Sequence, residues 1–276
     1  MKKDEKRITI GKIEVENMKK TKIIFLDVDG TIFDNNLGKI HQSTIDAIKT
    51  LYDKGDTHII IATGRAPNMI EHLNVIKPYV SGYVLLNGQH VTIHDQVVYD
   101  TPIDASSIHV LQEFARSEQV PLGVVGLTNA NVTFIDENVD ISFRDYRIKP
   151  FTVGEFGFEF DVYQAWLFGQ PELIDKARII VPNFQFLNWG NHGCDIIIKG
   201  TSKAVGVDVL IKHCNIDIAC TYAIGDANND IEMIKHVGTG VAMGNATHEL
   251  KQVSKYITTP IDQDGLYNAF KYLKLI

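Results

Sequence analysis

The sequence predicts an α/β fold: a parallel-sheet core wound by helices, with a smaller α/β domain inserted into it. Three observations predict it. Short apolar runs rich in Ile and Val alternate with helix-periodic segments near both ends of the chain, the rhythm of strands joined by crossover helices. Some of these runs, such as Ile59–Ala62, show no polar alternation, as expected of strands covered on both faces. Between Gln89 and Asn191 the texture changes to hairpins and longer helices. About 100 residues of that kind make an ordinary domain.

The elements follow in order. Ile23–Leu26 is the first strand. "STIDAIKTLYDKG" reads as a helix, with Ser43 as N-cap, Ile45, Ile48 and Leu51 at helical spacing, and Gly55 as its stop. "HIIIATGR" is the next strand, "NMIEHLNVI" a helix and "GYVLLNG" a strand. In the middle, "HVTIHDQVVYD" reads as a hairpin turning near His94 and Asp95, and "ASSIHVLQEFARSEQ" as a helix. "LGVVGLTNANVTFID" predicts strands around an Asn-rich turn; "DVYQAWLFG", "PELIDKARII" and "FQFLNWGNHGCDIIIKG" predict strand, helix and hairpin. The first rhythm then resumes, with "CDIIIKG" and "TYAIGDANND" as strands joined by the helix "KAVGVDVLIKHC". "NDIEMIKHVG" is a short helix, and "GVAMGNA" and "KYITTP" are strand-like. The expected organisation is an N-terminal extension (1–20), a core (21–88 and 192–276) and an insert (89–191). No repeat, low-complexity tract or long linker interrupts it.

Bulk properties narrow the function. With 276 residues, 45% hydrophobic and 22% charged, the chain has the composition of a globular protein. A net charge of −7 argues against nucleic acid, whose binders carry basic patches. No apolar run approaches the roughly 18 residues of a membrane span. Cys194, Cys214 and Cys220 show no CxxC or zinc spacing, so they are expected to be buried thiols in a reducing compartment. The first twenty residues are charged and lack an apolar stretch before a cleavage site, unlike a secretion signal; the expected location is cytoplasmic. Met18 would also make a natural start, and residues 1–17 are expected to be dispensable for the fold.

Four polar clusters each follow an apolar run: Asp27 and Asp29 after "IIFL", Thr63–Arg65 after "IIIA", Lys199–Lys203 after "DIII", and Gly225–Asp230 after "TYAI". In one parallel sheet all four would land on the same edge, beyond the carboxyl ends of the strands, where ligands bind. Two carboxylates as close as Asp27 and Asp29 repel unless a positive group sits with them. Each cluster alone has a plainer reading. Asp-x-Asp-Gly is a common turn, and it is no EF-hand loop here, since Gly30 comes too early. Thr63 could cap the next helix, and "GDANND" could be a surface turn. Lys203 near a helix start opposes the dipole and calls for a negative partner. "GTGVAMG" lacks the GxGxxG spacing of a dinucleotide loop.

Together, "DVDGT", "ATGR", "KGTSKA" and "GDANND", in this order and spacing, resemble the four motifs of the haloacid dehalogenase-like hydrolase superfamily. "LLNGQ", "AMGNA" (with Met243) and "DGL" (Asp264–Leu266) make the chain look most like the Cof-type phosphatases. The resemblance runs from about Lys19 to the end. One motif departs slightly, with Ala204 after Lys203 where the family usually has Gly.

The resemblance implies a Rossmann-like core with a large α/β cap between the second and third motifs. It implies Mg2+ held by the Asp27 carboxylate, the Asp29 backbone carbonyl and Asp226; magnesium favours such hard oxygen ligands. Asp27 would be the nucleophile that forms an aspartyl-phosphate, and Asp29 the general acid and base. Thr63, Gly64 and Lys203 would hold the phosphoryl oxygens. Asn229 would support phosphate or metal, and Asp230 would orient Lys203. Arg65 would touch substrate or join an ion pair. Selectivity would lie in the cap, with Asn129, Asn131, Arg144, Arg147 and His192 as polar candidates. The implied substrate is a small phosphorylated metabolite such as a sugar phosphate, with no nucleic acid, membrane or obligate protein partner. Two alternatives remain open at this point: a phosphoryl-transfer mutase, and a regulatory protein that binds without turnover. Asp29 weighs against the second, since a signalling aspartyl-phosphate gains nothing from a residue that helps hydrolyse it.

Overall fold

The computed structural model describes residues 22–145, 152–156 and 160–276. Residues 1–17, expected to be dispensable, and Arg147 lie outside these described residues. The chain divides into two compact units. The first takes in residues up to Gly64, His72–Tyr99 and Ser202–Ile276; the second takes in Arg65–Glu71 and Asp100–Thr201.

The first unit opens on strand β1 (Lys22–Leu26), in which Ile23 to Leu26 are fully buried. A short hairpin of β2 (Phe33–Asp34) and β3 (Lys39–Ile40) follows and delivers the chain into helix α1 (Gln42–Lys54). The helix buries Thr44, Ala47, Ile48 and Leu51, and Gly55 closes it in the left-handed conformation at φ 72°, the usual use of glycine at a helix end. Its N-cap is His41, not the expected Ser43. The hairpin fixes the chain up to Ile40, so helical turns begin at once, and the His41 ring is held by Asp34 (2.8 Å).

Strand β4 (Thr57–Ala62) pairs parallel to β1, with Ile24 opposite Ile59. The expected helix over "NMIEHLNVI" is instead a set of short 3-10 turns at Pro67–Met69, Glu71–Leu73 and Lys77–Tyr79. Only Leu73 and Ile76 in that segment are buried; without a continuous apolar stripe, the Asn and β-branched residues there do not sustain a helix. Strand β5 (Gly82–Leu85) runs parallel to β4, and β6 (His90–Ile93) and β7 (Gln96–Asp100) form the predicted hairpin. Its turn residues His94 (φ 48°) and Asp95 (φ 61°) are both left-handed, as two-residue hairpin loops require. This hairpin extends the first sheet beyond β5. The insert therefore begins near Asp100, not at Gln89, and ends near Thr201, not at Asn191.

The second unit is built on a six-stranded sheet of β8 (Leu122–Val125), β9 (Ala130–Val132), β10 (Thr152–Val153), β11 (Gln164–Phe168), β12 (Phe184–Asn188) and β13 (Gly193–Ile198). The order is β10-β9-β8-β11-β13-β12, antiparallel except between β9 and β10. Helices α2 (Ala105–Glu118), α3 (Glu137–Asp145) and α4 (Pro171–Ile180) accompany it. Leu111, Phe114, Leu122, Val124, Ala165, Leu167, Ile174, Cys194 and Ile196 form one apolar core. Helix α3 was not anticipated, although Asp136 accepts from the Val139 N–H (2.9 Å) as a helix-capping carboxylate does. Strand β13 corrects the reading of "CDIIIKG" as a strand of the parallel core. An apolar run looks the same in sequence whether its neighbours are parallel or antiparallel.

The chain then completes the first unit with α5 (Lys203–Cys214), β14 (Thr221–Gly225), α6 (Ile231–His236), β15 (Thr239–Ala242), α7 (His248–Val253), β16 (Tyr256–Ile257) and α8 (Gly265–Tyr272). Its eight-stranded sheet has the order β16-β15-β14-β1-β4-β5-β6-β7, parallel from β16 through β5. Ile23–Leu26, Ile59–Ala62, Ala223 and Ile224 are fully buried, the pattern of a sheet covered on both faces. Cys194 and Cys214 are buried free thiols, and Cys220 is half-buried. Among the described residues, no helix is long and apolar enough to cross a membrane.

Candidate active site

The loop after β1 is a tight turn. The Val28 carbonyl accepts from the N–H groups of Thr31 (3.3 Å), Ile32 (3.0 Å) and Phe33 (2.8 Å), and Asp27 N–H donates to Ile224 O (3.0 Å) on β14. These bonds fix the Asp27 carboxylate in a site where it is only 4% exposed. Gly30 is needed twice over. Its φ of +79° is left-handed, and a β-carbon there would collide with the Asp226 carboxylate.

Lys203, the first residue of α5, spans two carboxylates. Its Nζ donates to Asp27 Oδ1 (2.5 Å) and to Asp230 Oδ1 (2.7 Å), which supplies the negative partner its place against the helix dipole demanded. Its side chain is 1% exposed and that of Asp230 is fully buried. The other Asp230 oxygen accepts from the N–H groups of Asp226 (3.0 Å) and Ala227 (3.2 Å). Both Asp230 oxygens are thus occupied, and the residue positions Lys203 and the 226–230 loop together.

Charge in this cluster is unbalanced. Burial, then Asp230, Asp226 and Asp29, push the Asp27 carboxyl well above the usual carboxylate range, against the opposing pull of Lys203. Burial and the Asp230 charge push Asp226 up to about 7. Burial disfavours the charged Lys203, but Asp230 and Asp27 outweigh it and raise its pKa. Several carboxylates share one ammonium, so a further cation is electrostatically favoured. Asp27, Asp226 and Asp230 each bring an oxygen within 4.8 Å of the others. Because Asp230 is already spoken for, Asp27 and Asp226 are the better donors. Asp226 Oδ1 is buried without a hydrogen-bond partner, which fits a ligand atom for a hard cation.

The remaining predicted residues fall as follows. Asp29 is half-buried in the same turn, and its charge is felt at both Asp27 and Asp226. Thr63 is 1% exposed at the end of β4. It is no helix cap, since Ala66 holds that position for the following turn. Its N–H donates to Val84 O (2.9 Å) and its carbonyl accepts from Asn87 N–H (3.2 Å). Gly64 lies against the Asn87 side chain. Asn229 is exposed in the 3-10 turn Asn228–Asp230. The third cluster does not follow a core strand as expected: β13 belongs to the other sheet, and Lys203 reaches the first unit as the opening residue of α5.

Arg65 is counted with the second unit. There, the Asn129 carbonyl accepts from Gly126 N–H (2.8 Å) in the β8–β9 turn, and Asn131 lies in β9. Arg144 is exposed beside Asp145, and His192 Nδ1 is 3.1 Å from Asn138 Oδ1.

One positioning residue was missed. Asn245 Nδ2 donates to Gly30 O (2.9 Å) and reaches Asp226 Oδ2 (3.5 Å), while its Oδ1 accepts from Ile261 N–H (3.0 Å). It ties the β1 loop to the β14 loop. It lies a short way beyond β15 (Thr239–Ala242), within the "AMGNA" stretch that carries part of the family resemblance, which was the available signal.

The motifs recur in known proteins. A family profile described as haloacid dehalogenase-like hydrolase matches residues 24–270. The chain belongs to the haloacid dehalogenase-like hydrolases. It is 34% identical to the Bacillus subtilis (strain 168) protein named "Putative phosphatase YkrA", across 93% of this chain and 99% of that one. A crystal structure of a hypothetical protein from Geobacillus kaustophilus HTA426 superposes with a TM-score of 0.85 at 33% identity, covering 93% of this chain and 100% of the other. BT4131, described as a subclass IIB sugar phosphatase of this superfamily, superposes with a TM-score of 0.82 at 30% identity, with the same two coverages. This haloacid dehalogenase-like chain is accordingly an enzyme of the phosphatase branch of its family, with the core-and-insert α/β fold its motifs implied.

Proposed function

We propose that the chain is a magnesium-dependent phosphatase that hydrolyses monoesters of small phosphorylated metabolites, sugar phosphates foremost, through an aspartyl-phosphate. The observation that carries the reading is Lys203 Nζ bridging Asp27 and Asp230 beside the unpartnered Asp226 oxygen. The BT4131 likeness supports the sugar-phosphate class.

Asp27 and Asp226, with the Asp29 backbone carbonyl, would hold the cation, which when bound offsets the excess negative charge and draws charge from the phosphoryl oxygens. The chain's own groups do the rest. Lys203 and Thr63 hold phosphoryl oxygens, with Asn229 in support. An Asp27 oxygen attacks phosphorus as the bond to the departing ester oxygen breaks, and Asp29 gives that oxygen a proton. Asp29 then takes a proton from water, whose oxygen attacks the same phosphorus; inorganic phosphate leaves and Asp27 is restored. Selectivity among leaving groups is assigned to the inserted unit. A cytoplasmic enzyme acting on a soluble metabolite, without nucleic acid, membrane or obligate protein partner, completes the reading.

The test is release of inorganic phosphate from a panel of sugar phosphates and other small phosphate esters, with magnesium and then with EDTA. Magnesium-dependent release from part of the panel is expected. Phosphate appearing on product instead of in solution would mean a mutase. Asp27→Asn removes the nucleophile and lessens the repulsion in its site; turnover should vanish while the melting temperature is kept. A variant retaining much of the wild-type rate would overturn the mechanism.

A further inference from the structure

The turn Leu86–Gly88, directly after β5, is wedged between two segments of the first unit that hold Thr63 and Lys203. On one side Asn87 N–H donates to Thr63 O (3.2 Å). The Asn87 side chain lies against Gly64, where a β-carbon would stand 3.0 Å from Asn87 Nδ2. On the other side, a β-carbon on Gly88 would collide with the carbonyl of Ser202, the residue before Lys203. Asn87 therefore stands between the threonine and the lysine assigned to the phosphoryl group.

Its Nδ2 donor is unspent. Asn87 is 2% exposed, comparable with Thr63 and Lys203 at 1% each, yet Nδ2 has no hydrogen-bond partner. A buried donor left unpaired costs about 1–3 kcal/mol, and native structures hold few of them without a reason. Gly64 points the same way. Its φ lies outside the left-handed region, so its backbone does not require glycine. What glycine supplies there is room for the Asn87 amide.

We propose that Asn87 Nδ2 donates a hydrogen bond to a phosphoryl oxygen of the bound substrate, a third phosphoryl contact beside Thr63 and Lys203. The assignment rests on the phosphatase reading. Unlike Lys203, this donor is neutral, so it adds directionality without adding to the coupled charges. The competing explanation is purely conformational: Asn87 has φ 52° and ψ 37°, which asparagine tolerates better than most residues.

Asn87→Gly separates the two, because glycine keeps the left-handed backbone and removes the amide. In the full chain with magnesium, the reading is inhibition of p-nitrophenyl phosphate hydrolysis by inorganic phosphate, with kcat, KM and melting temperature alongside. Asn87→Gly should bind phosphate about tenfold more weakly or worse, the worth of a bond to a charged acceptor, at nearly unchanged melting temperature. Asn87→Asp, which also tolerates the backbone but offers only acceptors, should bind still more weakly; it carries the test if the glycine variant fails to fold. Phosphate inhibition within twofold of wild type in a folded variant overturns the assignment alone. A wild-type chain that neither binds nor releases phosphate removes the phosphatase reading, and the assignment with it.

Discussion

Asp226 shows how much of this enzyme is decided at single atoms. Its Oδ2 is reached by Asn245, while its Oδ1 is buried and receives no hydrogen bond from a protein donor, an arrangement that suits a metal ligand. Asp226→Ala should therefore raise the magnesium concentration needed for half-maximal activity sharply. An unchanged titration would remove it from the metal site. Asp104, in the second unit, is a contrasting case. It accepts from the Ser107 N–H (2.9 Å) and from the Ser106 and Ser107 hydroxyls at the start of α2, and these bonds hold its carboxyl down to about 2. Because the folded-state value lies below the ordinary 3.8, its contribution is complete above about pH 4 and fades as pH falls towards 2. Asp104→Ala should cost about 1 kcal/mol at neutral pH by urea denaturation. The gap to wild type should narrow in acid; a constant gap would mean the cap is not what the residue provides.

Among the elements, α5 carries the tightest constraint. Gly206 faces β5 and β6 at Val84 and Val91, and a β-carbon there would stand 3.1 Å from Gly88 Cα. Gly206→Val should destabilise the fold by about 1–3 kcal/mol through overpacking, and should lower activity as well, since Lys203 opens the same helix. Stability unaltered in a urea titration would refute the close packing. The elements also show what the sequence could disclose. The strands holding Asp27, Thr63 and Asp226 were legible because each is an unbroken apolar run ended by polar residues. Lys203 was legible as a site residue but not in its placement, because "DIII" in β13 carries no mark of which sheet it joins. Ser43 looked like a cap because the preceding hairpin, which fixes the helix start at His41, is too short to read. The 67–79 region looked helical because Ile70, Leu73 and Ile76 keep helical spacing, yet only two of those three reach the core. Asn245 and Asn87 were passed over individually because a lone Asn-Gly or Gly-Asn reads first as a turn.

For the whole molecule, the concentration of carboxylates in one site couples stability to both pH and cation. Burial and the neighbouring carboxylates raise the pKa values of Asp27 and Asp226. Between the ordinary carboxylate range and about 7, the folded state then holds more protons than the unfolded one, so stability falls as pH rises through that window. Magnesium requires the ionised carboxylates and should reverse the loss: the melting temperature should rise on adding it at pH 8, and by less at pH 5.5. A thermal shift independent of pH, or none at all, would refute this account of the charge cluster. Such a measurement needs no substrate and so tests the metal site apart from the reaction.

Asp230 has a last consequence, drawn from the polarity of its neighbours. Its three close partners, the Lys203 ammonium and the N–H groups of Asp226 and Ala227, are all donors. Asparagine, nearly the same shape, would have to turn its NH2 group towards one of them, donor against donor. The position therefore selects for a group that only accepts, and Asp230→Asn should disturb Lys203 more than its modest change of shape implies.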